Sequence, residues 1–155
     1  MRIQKTTLLF LRDENRILLA LKKRGFGKDK YNGVGGKVEL GETPEEAMLR
    51  ETEEEIGVTP IKYEKVGLID FVEFVKGEKM NVNMHVFVSS KWKGEPTESE
   101  EMKPKWFDIS DVPYSQMFED DKYWLPFVLQ NKKIKANFEF DENWELLSHK
   151  IEETH

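Results

Sequence analysis

Between Glu42 and Glu55 the chain gathers carboxylates at a spacing suited to a hard divalent cation. Seven acids (Glu42, Glu45, Glu46, Glu51, Glu53, Glu54 and Glu55) stand against one base, Arg50. This stretch therefore carries the whole formal net charge of -6, and the rest of the chain sums to zero. On a helix, Glu51, Glu54 and Glu55 share an arc of roughly 100°, while Met48, Leu49, Thr52 and Ile56 fall on an adjacent arc that reads as the core face. Like charges three and four residues apart each cost a helix a few tenths of a kcal/mol, and Glu53-Glu54-Glu55 crowd the end where the helix dipole disfavours anions. A solvated surface helix would interleave Lys or Arg, and this one does not. Mg²⁺ or Mn²⁺, which prefer oxygen ligands, would neutralise the stack. Such an ion lowers the pKa of a bound water, and a nearby carboxylate accepts the proton, which is the chemistry of metal-assisted hydrolysis.

The elements that must position these groups are legible nearby. Thr43 is a helix N-cap, Pro44 suits the first helical position, Glu46 completes a capping box and Gly57 reads as the C-cap, predicting a helix over Pro44 to Ile56. Before it comes a basic stretch, Lys22 to Lys28, and then Asn32-Gly33-Val34-Gly35-Gly36, too rich in glycine for regular helix. Lys5 to Leu11 and Arg16 to Leu21 are β-like runs separated by Asp13-Glu14-Asn15. Val66 to Val75 and Val82 to Ser89 predict a strand pair across Lys76-Gly77-Glu78. Tyr123 to Asn131 predicts a short helix with Asp120 or Asp121 near its start and Pro126 limiting its first turn. Ala136, Phe138 and Phe140 alternate in a late strand, with Trp144 to Ile151 as its partner across Asp141-Glu142-Asn143. With no repeat or linker, one mixed α/β domain over residues 1–155 is expected.

Composition removes several classes. There is no cysteine, which excludes disulfide scaffolds, cysteine nucleophiles and cysteine-ligated zinc. No apolar run approaches the ~18 residues of a membrane span, and Met1-Arg2-Ile3-Gln4-Lys5 leads into a β-like run without a cleavage-site pattern. The expectation is a cytoplasmic protein with no membrane, no nucleic-acid polymer and no obligate protein as partner, since polymer binders show a basic excess. His85 reads as a strand residue with a satisfied ring, and His149 and His155 sit near the C-terminus, so no histidine competes for the role of base.

Gly36, Glu42, Arg50-Glu51, Glu54-Glu55 and Gly57-Val58 reproduce the spacing of the Nudix box, and the chain resembles the Nudix hydrolases. It departs at Thr52, where an aliphatic residue is usual. The resemblance implies an α/β/α sandwich around a central mixed sheet and hydrolysis of a nucleoside diphosphate linked to another moiety. It also implies metal held by Glu51, Glu54 and Glu55 with the backbone of Gly35 or Gly36, while Arg50 and Glu42 orient the helix and its loop. Glu51, Glu55 and Glu101 are the candidate catalytic carboxylates, with Glu101 also a distal metal ligand, and the choice among them stays open.

Further blocks, among them Lys22-Lys23-Arg24-Gly25-Phe26-Gly27, Gly35-Gly36-Lys37-Val38, His85-Val86-Phe87, Glu101-Met102 and Asp120-Asp121 with Tyr123-Trp124, resemble the animal-type oxidised purine nucleoside triphosphatases. That likeness implies a base pocket of Asn32, Asp120, Asp121, Phe71 and Trp124 with Phe118 in a stacking position. It also implies substrate contacts from Thr7, Lys22, Gly35, Gly36 and Lys37. The small-molecule partner would be an oxidised purine nucleoside triphosphate, 8-oxo-dGTP first among them, and Mg²⁺ the cofactor. Phe118 stands where a Trp is usual, Val34 replaces a bulkier aromatic, and the spacing around Phe71 to Asn83 leaves the second aromatic wall between Glu73 and Phe74. These departures keep another modified or ordinary nucleotide in play. A nucleotide-binding regulatory domain without catalysis is disfavoured by the intact Glu51, Glu54 and Glu55 set.

Overall fold

Alternation along a single strand sets the layering. In the computed structural model, which describes residues 3–155 and leaves the expected start at Met1-Arg2 outside the described residues, Ile3–Leu11 forms β1. Leu8 and Phe10 point into one core, with Ile69, Trp124 and Leu125, while Leu9 and Leu11 point into another, with Met48, Ile56 and Val58. A strand buried on both faces requires a covering layer on each side.

The remaining elements are β2 (Arg16–Lys22), β3 (Tyr31–Asn32), α1 (Pro44–Ile56), β4 (Thr59–Val75), β5 (Glu78–Lys93), β6 (Met102–Asp108), α2 (Asp121–Leu129), β7 (Lys133–Phe140) and β8 (Leu146–Thr154). A five-stranded sheet runs β1-β5-β4-β7-β8 and a three-stranded one runs β3-β2-β6. The larger sheet is mixed: β1 pairs parallel with β5 and β4 parallel with β7, whereas β4–β5 and β7–β8 are antiparallel. Helix α1 contributes Met48 and Ile56 to one core, and α2 contributes Trp124, Leu125 and Val128 to the other. The mixed α/β architecture is the expected one. Among the described residues no helix is long and apolar enough to cross a membrane.

Several boundaries differ from the sequence reading. β4 and β5 extend well past the apolar runs, because their outer stretches mix packed residues such as Tyr63 and Trp92 with exposed lysines and glutamates and leave no regular hydrophobic alternation. Their connection is a two-residue turn, Lys76-Gly77, with φ of 52° and 78°, the conformation that follows the twist of a hairpin. Helix α2 begins at Asp121 instead of Tyr123 and ends at Leu129 instead of Asn131, whose φ of 63° leaves the helical region. His85 also differs: its Nε2 is buried without a partner, and burial, then Lys65 and Lys5, lowers its pKa to about 4.

Helix α1 follows the sequence closely. Thr43 Oγ1 accepts from the Glu46 N–H at 3.1 Å and the Glu46 carboxylate accepts from the Thr43 N–H at 3.0 Å, so two otherwise orphaned donors are satisfied reciprocally. Gly57 closes the helix at φ 70°, donating to the Glu53 carbonyl. Thr52, the departure from the aliphatic pattern, is fully buried and returns its hydroxyl to the Met48 carbonyl at 2.8 Å. Thr43→Ala is expected to lower stability by about 1 kcal/mol in a urea titration, and an unchanged midpoint would contradict the role given to the cap.

Candidate active site

The free edge of β1 is occupied by the glycine segment. Leu9 and Val34 exchange backbone hydrogen bonds of 2.7 and 3.0 Å, the Thr7 N–H donates to the Gly36 carbonyl at 2.9 Å, and the Val38 N–H donates to Lys5 at 2.9 Å. This contact explains the glycines. A Cβ at Gly35 would lie 1.9 Å from the Thr7 carbonyl oxygen, and one at Gly36 would lie 2.6 Å from the Glu51 carboxyl carbon. The segment thus brings bare backbone against the acidic face of α1.

Arg50 holds that face in register. Its Nε and Nη2 donate to the two Glu42 oxygens at 2.7 and 2.9 Å, Nη1 donates to Glu51 at 2.8 Å, and Nη2 reaches the Lys37 carbonyl at 3.1 Å. One guanidinium therefore ties the loop before α1, the glycine segment and the helix together. The Arg50 hydrogen bonds hold Glu42 down at about 2 and raise the pKa of Arg50 itself.

Glu55 is the anomaly of the helix. It is buried, receives the Gly35 N–H at 3.3 Å and faces Glu51. Burial, reinforced by the Glu51 charge, pushes its pKa to about 8 despite the opposing pull of the Gly35 N–H and Lys22. Two carboxyls thus share one partly enclosed space in which both cannot ionise cheaply. A divalent cation suits that donor set, since it would replace the retained proton and satisfy both oxygens, and the missing Cβ of Gly36 leaves the Glu51 carboxylate its place. Glu54 stands apart: it is exposed and meets Arg50 at 3.4 Å. Among the described residues no three carboxylates are drawn into one ready ligand set.

Lys22 lies within electrostatic reach of both Glu55 and Glu101. Glu101 is partly exposed and accepts from Arg24 at 2.9 and 3.2 Å, which, together with Lys22, holds its pKa below the usual glutamate range. Lys37 is exposed and contributes its carbonyl to Arg50.

From Gly35 and Gly36 a single cleft of about 270 Å³ runs past Thr7, Lys22 and Asn32 to Phe71, Phe118, Asp120 and Asp121. Thr7 Oγ1 and Asp121 Oδ2 are buried on it without a partner, an arrangement that normally signals an absent hydrogen-bonding group. Asn32 Oδ1 takes the Gly33 N–H at 2.8 Å, leaving its NH₂ free to donate. Burial raises Asp120 above the aspartate range, and burial together with the Asp120 charge raises Asp121 well above it. One carboxyl of such a pair can donate while the other accepts.

At the start of α2, Asp120 makes no side-chain cap and Asp121 is already helical. One expectation changes here. Trp124 does not line the cleft; it is fully buried behind it, packs against Phe10 and donates Nε1–H to Asp120 Oδ2 at 2.8 Å. Its role is to hold Asp120, because an indole in the core needs an acceptor. The aromatic walls are instead Phe71, stacked toward Phe138 and Phe140, and Phe118, stacked at 5.5 Å on Phe26. Phe26, Lys30, Phe140 and Trp144 also line the cleft and escaped the sequence reading as site residues. Phe26 sits between Gly25 and Gly27, both at positive φ, and that pair of glycines was the available signal for an exposed, presented ring.

Glu55 makes stability pH-dependent. Its raised pKa means that the folded chain retains a proton which the unfolded chain releases, from the ordinary value of 4.5 up to about 8. Stability falls as pH rises through this window. In metal-free buffer, melting temperature is expected to fall from pH 5 to pH 8, with Asp120, Asp121 and Glu73 adding to the slope, and Glu55→Gln should make it shallower; an unaltered slope in the variant would reject the assignment.

Residues 2–128 match the NUDIX domain family. The sequence is 46% identical over 147 residues to the oxidized purine nucleoside triphosphate hydrolase of Danio rerio, covering 95% of this chain and 93% of that one. It is 42% identical, with the same coverage, to the Mus musculus protein of that name. Among solved structures, the mutator MutT protein of Bacillus halodurans superposes with a TM-score of 0.83 at 28% identity, over 96% of this chain and 97% of that one. The family match spans the glycine segment, α1 and the Asp pair, and the chain belongs to the Nudix hydrolases.

Proposed function

We propose that the chain is a Mg²⁺-dependent diphosphatase of oxidised purine nucleoside triphosphates, 8-oxo-dGTP foremost, releasing the monophosphate and pyrophosphate. The observation that carries this reading is the continuity of one cleft from Gly36, beside Glu51 and Glu55, to the buried Asp120–Asp121 pair. A triphosphate belongs at the first end and a hydrogen-bonding base at the second. The names of the Danio rerio and Mus musculus relatives support the same substrate class. One domain in the cytoplasm, sanitising the free nucleotide pool, is the setting we propose for it.

Glu51 and Glu55 would hold Mg²⁺, with Mn²⁺ as a substitute, and the bound ion would supply charge neutralisation at phosphate and a water of lowered pKa. The chain's own residues do the rest. Lys22, at the mid-cleft, offsets phosphate charge. Arg50 keeps the Glu51 carboxylate oriented through its Glu42 anchor. At the far end Phe71 and Phe118 exclude water from the base, while Asn32, Asp120 and Asp121 present donors and acceptors to its edge. A base that left these buried groups unpaired would be rejected more strongly than one that merely fitted poorly.

The deciding test is a steady-state comparison of 8-oxo-dGTP with dGTP in Mg²⁺, reading pyrophosphate. The expected result is kcat/KM at least about tenfold higher for the oxidised substrate, the factor that one well-made buried hydrogen bond supplies. Equal or lower efficiency on 8-oxo-dGTP would remove oxidised purines from the assignment.

A further inference from the structure

Glu73 is a carboxyl group on a face built for apolar side chains. It follows Phe71 by two residues on β4, so the two share one side of the sheet, and its cross-strand neighbour on β5 is the buried Met80, beside Val82 opposite Phe71. Phe71, Met80 and Val82 all belong to the hydrophobic cluster that also holds Trp124 and Phe138. Packing offers Glu73 nothing there: among the described residues no hydrogen bond or ion pair reaches it. The position does have one opening, because Glu73 lines the cleft together with Asp120 and Asp121.

A carboxyl at such a position costs stability unless something arrives to use it. The groups around it sharpen the point. Asp120, across the cleft at the start of α2, repels its charged form, and Asp121 stands next to that; the cations lining the same cleft are Lys22 on β2 and Lys30 just before β3. Desolvation, with the Asp120 charge added, raises Glu73 to about 7. The base end of the cleft therefore holds three carboxyls that cannot all be ionised together, and it presents more hydrogen-bonding capacity than an ordinary purine edge uses. Oxidation at C8 changes a purine in the matching direction, since it turns the N7 lone pair into an N–H donor and adds a carbonyl acceptor beside it.

We infer that Glu73 is a third base-reading carboxyl, accepting an N–H of the oxidised purine that the parent purine lacks, and so a determinant of selectivity between them. This rests on the oxidised-purine reading of the cleft and adds to it the residue that tells the two bases apart. The contact belongs to binding at the base and not to the phosphates, so it operates on the product monophosphate as well as on the triphosphate.

That separation supplies the test. Binding of 8-oxo-dGMP and dGMP is measured by calorimetry on the full chain without metal, for the wild type and for Glu73→Leu, which fills the space and removes the acceptor. Thermal unfolding of both proteins verifies that the variant is folded, and Glu73→Asp, which restores a carboxylate, serves as a second variant. The wild type is expected to prefer 8-oxo-dGMP, Glu73→Leu to lose roughly tenfold of that preference, and Glu73→Asp to recover part of it. A wild type that prefers 8-oxo-dGMP while folded Glu73→Leu retains the full preference overturns the role of Glu73 and leaves the oxidised-purine reading standing. A wild type with no preference overturns both.

Discussion

Two glutamate side chains on consecutive turns of one helix, Glu51 and Glu55, are pressed against a strip of bare glycine backbone, and much of the molecule exists to keep them there. Alone, this contact is unfavourable: burial and mutual repulsion drive Glu55 to retain a proton to about pH 8. The surrounding architecture offsets the cost. β1, buried on both faces, offers its free edge to the Asn32–Lys37 segment; the capping box fixes where α1 begins; and Arg50 clamps Glu42, Glu51 and the Lys37 carbonyl at once. Removing Gly35 or Gly36 from this arrangement would drive a Cβ into backbone or carboxylate. The divalent cation proposed for those oxygens would relieve the conflict.

The other end of the cleft repeats the logic with a different purpose. Asp120, Asp121 and Glu73 are carboxyls held away from water, and burial raises the pKa of each. Trp124 steadies Asp120 from behind with its indole N–H, so this aromatic is placed to orient a carboxylate. Under the proposed function, a cation would take the place of the retained proton at the Glu51–Glu55 end, and the carboxyls at the other end would meet the base. Lys22 and Asn32 lie between the two regions, so one short strand pair, β2 with β3, carries the residues that join them.

How much of this was legible in the sequence depends on the range of the interaction. Local devices were readable to the residue: the Thr43–Glu46 box, the Gly57 cap and the Glu51–Glu55 spacing each follow from backbone geometry within a few residues. The sheet partners were readable only where alternation persisted, so the polar ends of β4 and β5 escaped. Trp124 was placed in the base pocket by the family resemblance alone, and its composition had suggested core; whether a buried indole faces a ligand or the core depends on contacts such as that with Phe10, more than a hundred positions away in the chain. Phe26, Phe140 and Trp144 come from three separate segments and share a cleft only after β2, β7 and the turn following β7 have been placed. Glu73 was uncertain for another reason: the spacing against the family left the second wall between Glu73 and Phe74, and only the strand register shows Glu73 opposite Met80, on the side of Phe71.

On this reading the proton held by Glu55 stands in for a divalent cation. The most direct measurement is a pH-stat titration of the metal-free chain with Mg²⁺ at pH 7. Close to one proton should be released per chain on saturation, and Glu55→Gln should release none. Saturable Mg²⁺ binding without proton release, or release undiminished in Glu55→Gln, would contradict the account.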